Sequence, residues 1–324
     1  MKPILVLFFT LSFFSLTGQV AEKIGTNHIS MGDPFLLSTP EGYYIWGTTG
    51  GGGFTTFFSN DLQAWEVRGK ALHFSDSPWG NRNFWAPEVC YYQGKYYMTY
   101  SCEQKPVQPN EPEGFRICLA VSDTPEGPYK VTNAPWFDNG WSCIDGHIFV
   151  NDDETPYLFF NKTGVIEEPW HLYGEIYVVR LKKDLSGFDG EPILASKAEQ
   201  PWEEPDPEKK SICNEGAFVF KKEGVYYLTY SAGHYASPKY AIGYATAASP
   251  LGPWVKADDN PLLAGDETIG GPGHCSVSVA PDGGLLLCYH VHAERTKPSG
   301  DRRVRISKLT ILAPGKLSVI LSNN

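Results

Sequence analysis

The sequence predicts an all-β fold, a single five-bladed β-propeller, and three observations carry that expectation. Thirty-three glycines and 25 prolines are scattered through tyrosine-rich apolar runs, the composition of many short strands joined by turns. Five hairpin-like segments recur along the 324 residues, and a second turn motif recurs between them. With 42% hydrophobic and 14% aromatic residues, the chain can build a packed core, and no break in composition divides it into two domains.

Taken in order, residues 1–18 carry Lys2, an apolar stretch from Ile4 to Leu16, and then a small-residue zone over 18–21. This is the layout of a secretory signal peptide, too short to span a membrane. The mature protein is expected to be exported, periplasmic or extracellular, with no membrane partner. The hairpins then follow: "DPFLLSTPEGYYIWG" from Asp33, "PEVCYYQGKYYMTY" from Pro87, "DGHIFVNDDETPYLFF" from Asp145, "CNEGAFVFKKEGVYYLTYSAG" from Cys213 and "HCSVSVAPDGGLLLCYH" from His274. Near their starts stand Asp33, Glu88, Asp145, Glu215 and His274, at successive intervals of 55, 57, 70 and 59 residues. A period of that length signals an array of repeated units. Between the hairpins, "FSNDLQAWEV", "AVSDTPEGPYKV", "VRLKKDLSGF" and "ATAASPLGPWV" supply two further strands per unit, which completes a four-stranded blade.

Charge and cysteine content exclude two classes of function. The net charge is −10 and no basic cluster exceeds Arg302 to Arg305, so the counterion release that drives nucleic-acid binding is missing. Neutral small molecules or polymers are the expected partners, with the protein a monomer. Seven cysteines contain no CxxC pair, which argues against zinc; an exported chain allows disulfides, with at least one thiol left over, and buried, unreactive cysteines are the expectation over a disulfide framework.

In an up-and-down blade the chain reverses at each turn, so the five first strands start on one face. The connections on that face, 103–114, 163–175, 199–212 and 291–301, are long and polar, and long loops on a rigid scaffold are where binding groups sit. Acids are depleted in strands, yet Asp33, Glu88, Asp145 and Glu215 share this face and line a pocket at the axis. Crowding and desolvation raise carboxyl pKa values there, and two carboxyls across a sugar, one protonated and one ionised, suffice for glycoside hydrolysis. Phe84 and Trp85 lie on the loop into the second unit, where aromatic faces can stack on a sugar. Gly216 and Ala217 are read as leaving space for that sugar beside Glu215.

"MGDPFLL", "SCIDGHIF", "CNEGAFVF" and "GPGHCSVSV", with "NFWAPEV" after the first, resemble the signature segments of glycoside hydrolase family 43. The resemblance extends over residues 28–322 and implies a five-bladed propeller domain that cleaves glycosidic bonds with inversion, mostly at arabinofuranosyl or xylosyl residues. It implies Asp33 as general base, Glu215 as general acid, and Asp145 as the acid that orients Glu215 and tunes its pKa; it gives Glu88 no proton-transfer role, which leaves Glu88 a hydrogen-bonding or structural acid. It implies an arginine at the sugar, Arg302, with Arg303 the alternative should the loop register shift by one. No cofactor is required by it. His274 matches a family histidine of the axis, and two alternatives stand for it: water-mediated contact with one Ca²⁺ or Na⁺, or hydrogen bonding alone, a lone histidine being a poor direct Ca²⁺ ligand. The expected substrate is a plant-type oligo- or polysaccharide, attacked by an α-L-arabinofuranosidase or β-xylosidase more readily than by an endo-arabinanase; galactose-active relatives exist. Two rivals remain. A retaining fructan-hydrolase propeller would show Asn-Asp-Pro-Asn-Gly and Glu-Cys-Pro where this chain has Gly32-Asp33-Pro34-Phe35 and Asn214-Glu215-Gly216. A non-catalytic carbohydrate-binding propeller would not need three acids.

Overall fold

The computed structural model describes residues 23–105, 114–167, 170–204 and 210–321. The expected signal peptide over 1–18 lies outside them. The described residues are all β, with three single-turn 3-10 segments, and none of their helices is long and apolar enough to cross a membrane.

Five antiparallel units of four consecutive strands follow one another, and the short strand Ile24–Gly25 adds a fifth to unit one. Unit one comprises Gly32–Thr39, Gly42–Thr48, Gly53–Ser59 and Ala64–His73. Unit two comprises Arg82–Tyr92, Lys95–Gln104, Gly114–Ser122 and Lys130–Asn133. Unit three comprises Ser142–Val150, Pro156–Glu167, Trp170–Arg180 and Ile193–Ser196. Unit four comprises Ser211–Lys222, Val225–Ala232, Ala241–Ala247 and Val255–Lys256. Unit five comprises Gly273–Val279, Leu285–His292, Arg302–Ala313 and Lys316–Ile320. The hairpins close on turns read from the sequence. Gln93–Gly94 and Glu223–Gly224 both take positive φ, 48° and 80°, then 51° and 81°, the twist that suits a two-residue hairpin turn.

Strands buried on both faces let each unit share a core with its neighbours. Tyr92 and Leu119 of unit two pack with Leu158 and Val179 of unit three. Phe159 and Ile176 of unit three pack with Ala217 and Leu228 of unit four. One large cluster contains Trp46 and Phe54 beside Met98 and Tyr100, and Phe218 and Tyr227 beside Cys275 and Leu287. Leu36 and Ile45 of unit one pack with Cys288 and Val304 of unit five. The first strands touch in sequence from unit to unit, and that of unit five touches that of unit one. Two backbone links add to these contacts: Leu172–Gly174 pairs in parallel with Ser211–Cys213, and Ser30 bridges to Arg303. All seven cysteines are free thiols, six of them buried.

One buried ion pair anchors the strand that carries Glu215. Glu203 is 1% exposed and accepts Lys256 Nζ at 2.6 and 2.7 Å, the Glu199 and Gln200 backbone N–H groups, and Asn214 Nδ2 at 3.2 Å. Removing one partner of such a pair leaves an uncompensated buried charge and costs about 3–5 kcal/mol. Glu203→Ala is therefore expected to lower the unfolding free energy by about that amount in urea titration. A loss within about 0.5 kcal/mol, the level of ordinary surface changes, would show that the pair does not hold this region.

Candidate active site

The same backbone irregularity occurs in the first strand of every unit. Pairing with the second strand shifts after Gly32, Trp85, Ile144, Glu215 and Gly273, and the next residue in each case has positive φ. These residues are Asp33 (53°), Ala86 (47°), Asp145 (57°), Gly216 (61°) and His274 (45°). A bulge of this kind bends the strand and re-aims its side chains. Four of the bulge N–H groups donate to the second strand of the preceding unit: Ala86 to Thr48 Oγ1 at 2.9 Å, Asp145 to Ser101 Oγ at 2.9 Å, His274 to Ser231 Oγ at 2.6 Å, and Asp33 to His290 Nδ1 at 3.1 Å. The last of these runs from unit one back to unit five. Gly216 N–H instead donates to Asp145 Oδ2 at 3.2 Å.

The bulge residues and those just before them build one cavity of about 120 Å³, lined by Asp33, Trp85, Ile144, Asp145, Glu215, Tyr235, His274 and Arg302. Two of the residues before the bulges are glycines because other side chains need their space. A Cβ on Gly32 would stand 2.0 Å from the Arg302 guanidinium, and one on Gly273 would stand 1.9 Å from the Tyr240 ring. Arg302 Nη1 donates to Asp33 Oδ1 at 2.7 Å, and its guanidinium lies 5.0 Å from the centre of the Tyr235 ring. Arg303 turns away to Asp301. Trp85 stacks on Phe115 at 4.6 Å.

Three expectations are corrected. Phe84 is not among the lining residues; it is buried in the core, stacked on Phe74 at 4.2 Å, because successive strand residues face opposite ways. Glu88 does not match Asp33: the counterpart of Asp33 is Ala86. Two residues beyond that bulge, Glu88 accepts or shares a proton with His147 Nδ1 at 2.7 Å and lines a separate cavity of about 340 Å³ with Phe35, Val89 and Val277. Gly216 makes room for His274, whose ring carbon a Cβ would meet at 3.0 Å, and Ala217 is buried in the core between units three and four. Tyr235, Ile144 and Tyr240 were not singled out by the sequence. The tyrosines stand between the second and third strands of unit four, where no periodicity marks them.

The carboxyls are driven to opposite states. Burial alone would raise Asp33, but the Arg302 guanidinium, the His274 ring and the Thr48 hydroxyl, which donates to Oδ2 at 2.5 Å, outweigh it and hold Asp33 well below the usual carboxylate range. Glu215 is raised above that range, by burial first and then by the Asp145 charge. Asp145 is raised as well, chiefly by burial. Burial lowers the His274 ring, and the surrounding acids, Asp33 first, raise it by more. An ionised and a protonated carboxyl thus share one cavity beside a cation, an arrangement that can give a proton on one side of a substrate and take one on the other.

The residues present do not fit a directly bound metal. Among the described residues no group of three or more His, Cys, Asp or Glu side chains is arranged to hold an ion. His274 Nδ1 faces Asp33 Oδ1 at 3.4 Å, one nitrogen where Ca²⁺ takes six to eight oxygens.

The model of the glycosyl hydrolases family 43 matches residues 27–317. A thermostable family-43 glycoside hydrolase of known structure is 42% identical and superposes with a TM-score of 0.82 over 91% of this chain and 94% of its own. A β-D-galactofuranosidase of Aspergillus niger is 28% identical over 73% of this chain and 65% of its own length. A xylosidase/arabinosidase of Humicola insolens is 31% identical over 58% of this chain and 61% of its own. The chain thus spans less than two thirds of the length of these curated relatives.

The raised carboxyls make a stability prediction. Folding favours the protonated forms of Glu215 and Asp145, so this contribution is present below their unfolded pKa values and is lost as pH rises through the folded ones. Glu215→Gln and Asp145→Asn cannot ionise. Each is expected to match the parent in stability near about pH 4 and exceed it near about pH 8, measured by urea unfolding at both. A pH-independent or reversed difference would show that the carboxyls are not raised.

Proposed function

The chain belongs to glycosyl hydrolase family 43, and on that premise we propose that it is an inverting O-glycosyl hydrolase that releases terminal pentosyl residues from plant-type oligo- or polysaccharides. In this reading the five units close into a five-bladed propeller with the cavity at one mouth of its axis. The succession of first-strand contacts, ending with unit five on unit one, and the core shared by those two units support that closure.

The observation that carries the proposal is the divergence of Asp33 and Glu215 within one cavity. Asp33 is the general base. Its two oxygens already accept from Arg302 and Thr48, and each keeps lone-pair capacity for a water. Glu215 is the general acid, protonated because burial and Asp145 disfavour its charge. In the reaction the water oxygen bonds the anomeric carbon and gives its proton to Asp33, while the glycosidic C–O bond breaks and its oxygen takes the Glu215 proton. Asp145 acts on the acid twice, through its charge and through the Gly216 N–H that follows Glu215. Trp85 and Tyr235 offer apolar faces to the sugar, and Arg302 holds the base.

Terminal attack is supported by the small size of the cavity. Pentosyl specificity is supported by the Humicola relative and opposed by the Aspergillus one. Activity on p-nitrophenyl α-L-arabinofuranoside or β-D-xyloside above that on β-D-galactofuranoside and linear arabinan is expected. Proton NMR of early product should show inverted anomeric configuration, and retention would exclude Asp33 as a base. Glu215→Ala should lose about 10²–10⁴-fold on oligosaccharide and much less on the aryl glycoside, whose leaving group needs little protonation. Asp33→Ala should fail on both. The opposite pattern would exchange acid and base.

A further inference from the structure

Tyr240, just before the third strand of unit four, is 1% exposed, and its hydroxyl donates to Glu215 Oε1 at 2.7 Å. Its ring stacks on that of His290 with centroids 5.8 Å apart and planes within 10°, in the space kept open by Gly273. His290, in the second strand of unit five, is 0% exposed and accepts the Asp33 N–H on Nδ1. A ring nitrogen that accepts carries no proton, so this hydrogen bond assigns the neutral tautomer with its proton on Nε2. An unbroken path of contacts therefore runs from Glu215 through Tyr240 and His290 to Asp33.

We propose that Tyr240 and His290 form one stacked positioning pair, in which Tyr240 fixes the Glu215 oxygen that carries the transferable proton and His290 holds Asp33 in its left-handed turn. The inference rests on the acid and base roles proposed above. Because Oε1 accepts from Tyr240, the proton of Glu215 sits on Oε2. When that proton leaves for the glycosidic oxygen, negative charge develops on the carboxyl, and the Tyr240 hydrogen bond becomes charge-assisted and stronger. An interaction that strengthens along the reaction speeds the chemical step without tightening substrate binding. Tyr240 remains a donor throughout, since burial and the neighbouring Glu215 both push its own ionisation far up.

The identity of residue 290 supports a double role. Thr48, Ser101 and Ser231 accept the bulge N–H of the next unit with a hydroxyl. Only His290 does so with a ring, and only a ring offers Tyr240 a face to pack on. Burial and the Arg302 charge keep His290 neutral; the groups around it are Arg302, Asp33, His274 and His292. Those that act on Glu215 are Asp145, Tyr240, His274 and Asp33.

The test compares Tyr240→Phe, His290→Ser and His290→Phe with the parent and with Glu215→Ala, each checked for an unchanged melting temperature. Tyr240→Phe keeps the ring and removes the donor. It is expected to lower kcat on an oligosaccharide by about tenfold or more with KM little changed, to lose less on an aryl glycoside, and to shift the alkaline limb of the pH profile upward. The sign follows because the lost bond favoured the charged form of Glu215. His290→Ser keeps an acceptor, as in the other units, but removes the stack, and should reproduce the Tyr240→Phe pattern. His290→Phe keeps a ring and removes the acceptor, and should lose activity equally on both substrates through Asp33. If Glu215→Ala is inactive on oligosaccharide while Tyr240→Phe keeps the parent's kcat and alkaline limb, the pair is not a positioning device. If Glu215→Ala keeps full activity, the acid assignment itself fails.

Discussion

The site depends on one backbone constraint: in each unit the first strand breaks its ladder and passes through positive φ at the residue that follows the break. Such a conformation costs non-glycine residues about 1–3 kcal/mol and persists only where the surroundings over-determine it. Here the surroundings are the next-door unit, whose second strand accepts the displaced N–H. Strain and its compensation are thus divided between different units. Asp33, Asp145 and His274 are held in their strained turns by residues 101, 231 and 290 that lie elsewhere in the chain, and the pocket exists only when the units are packed together.

That arrangement also sorts the pocket into two tiers. The bulge residues contribute charge: Asp33, Asp145 and His274. The residues before them contribute walls or openings: Trp85, Ile144 and Glu215 project inward, while Gly32 and Gly273 admit Arg302 and Tyr240. Glu215 therefore belongs to the wall tier, one residue before the bulge, with the Asp145 charge on one side and the Tyr240 hydroxyl on the other. Asp33, among the charges, meets Arg302 directly. Asp33 is held ionised by the guanidinium that meets it, whereas burial and the Asp145 charge favour the protonated form of Glu215.

Much of this was legible in the sequence and some could not be. The hairpins and the five-fold recurrence are local patterns, and Gly94 and Gly224 stand in the turns that close two of the hairpins. A bulge is not local in that sense. Inserting one residue changes which side chains face the cavity, and nothing in composition shows where the insertion falls. Spacing alone sets Glu88 at the place of Asp33, which Ala86 occupies, although a hydrogen-bonding part for Glu88 agrees with its contact to His147. The same blindness put Phe84 beside Trp85 at the sugar when the two face opposite ways. Gly216 reads from the sequence as space for a sugar, whereas it, like Gly32 and Gly273, is small because a particular distant side chain, His274, Arg302 or Tyr240, fills the space. Those pairings join residues far apart in the chain and emerge only when the units are packed.

One of the five units departs from this pattern, and it does so at the third acid. By register, Asn161 stands opposite Ile144 as Thr48, Ser101, Ser231 and His290 stand opposite Gly32, Trp85, Glu215 and Gly273. It should accept the Gly216 N–H, yet among the described residues neither of its buried amide atoms has a hydrogen-bond partner. The acceptor for Gly216 is Asp145 Oδ2 instead. The exchange puts a carboxylate where the other units use a hydroxyl or a ring nitrogen. It ties a carboxylate to the peptide next to Glu215, fixing the distance through which one acid raises the other. A hydroxyl or amide at the same hydrogen bond would hold Gly216 equally well, but it would supply no charge.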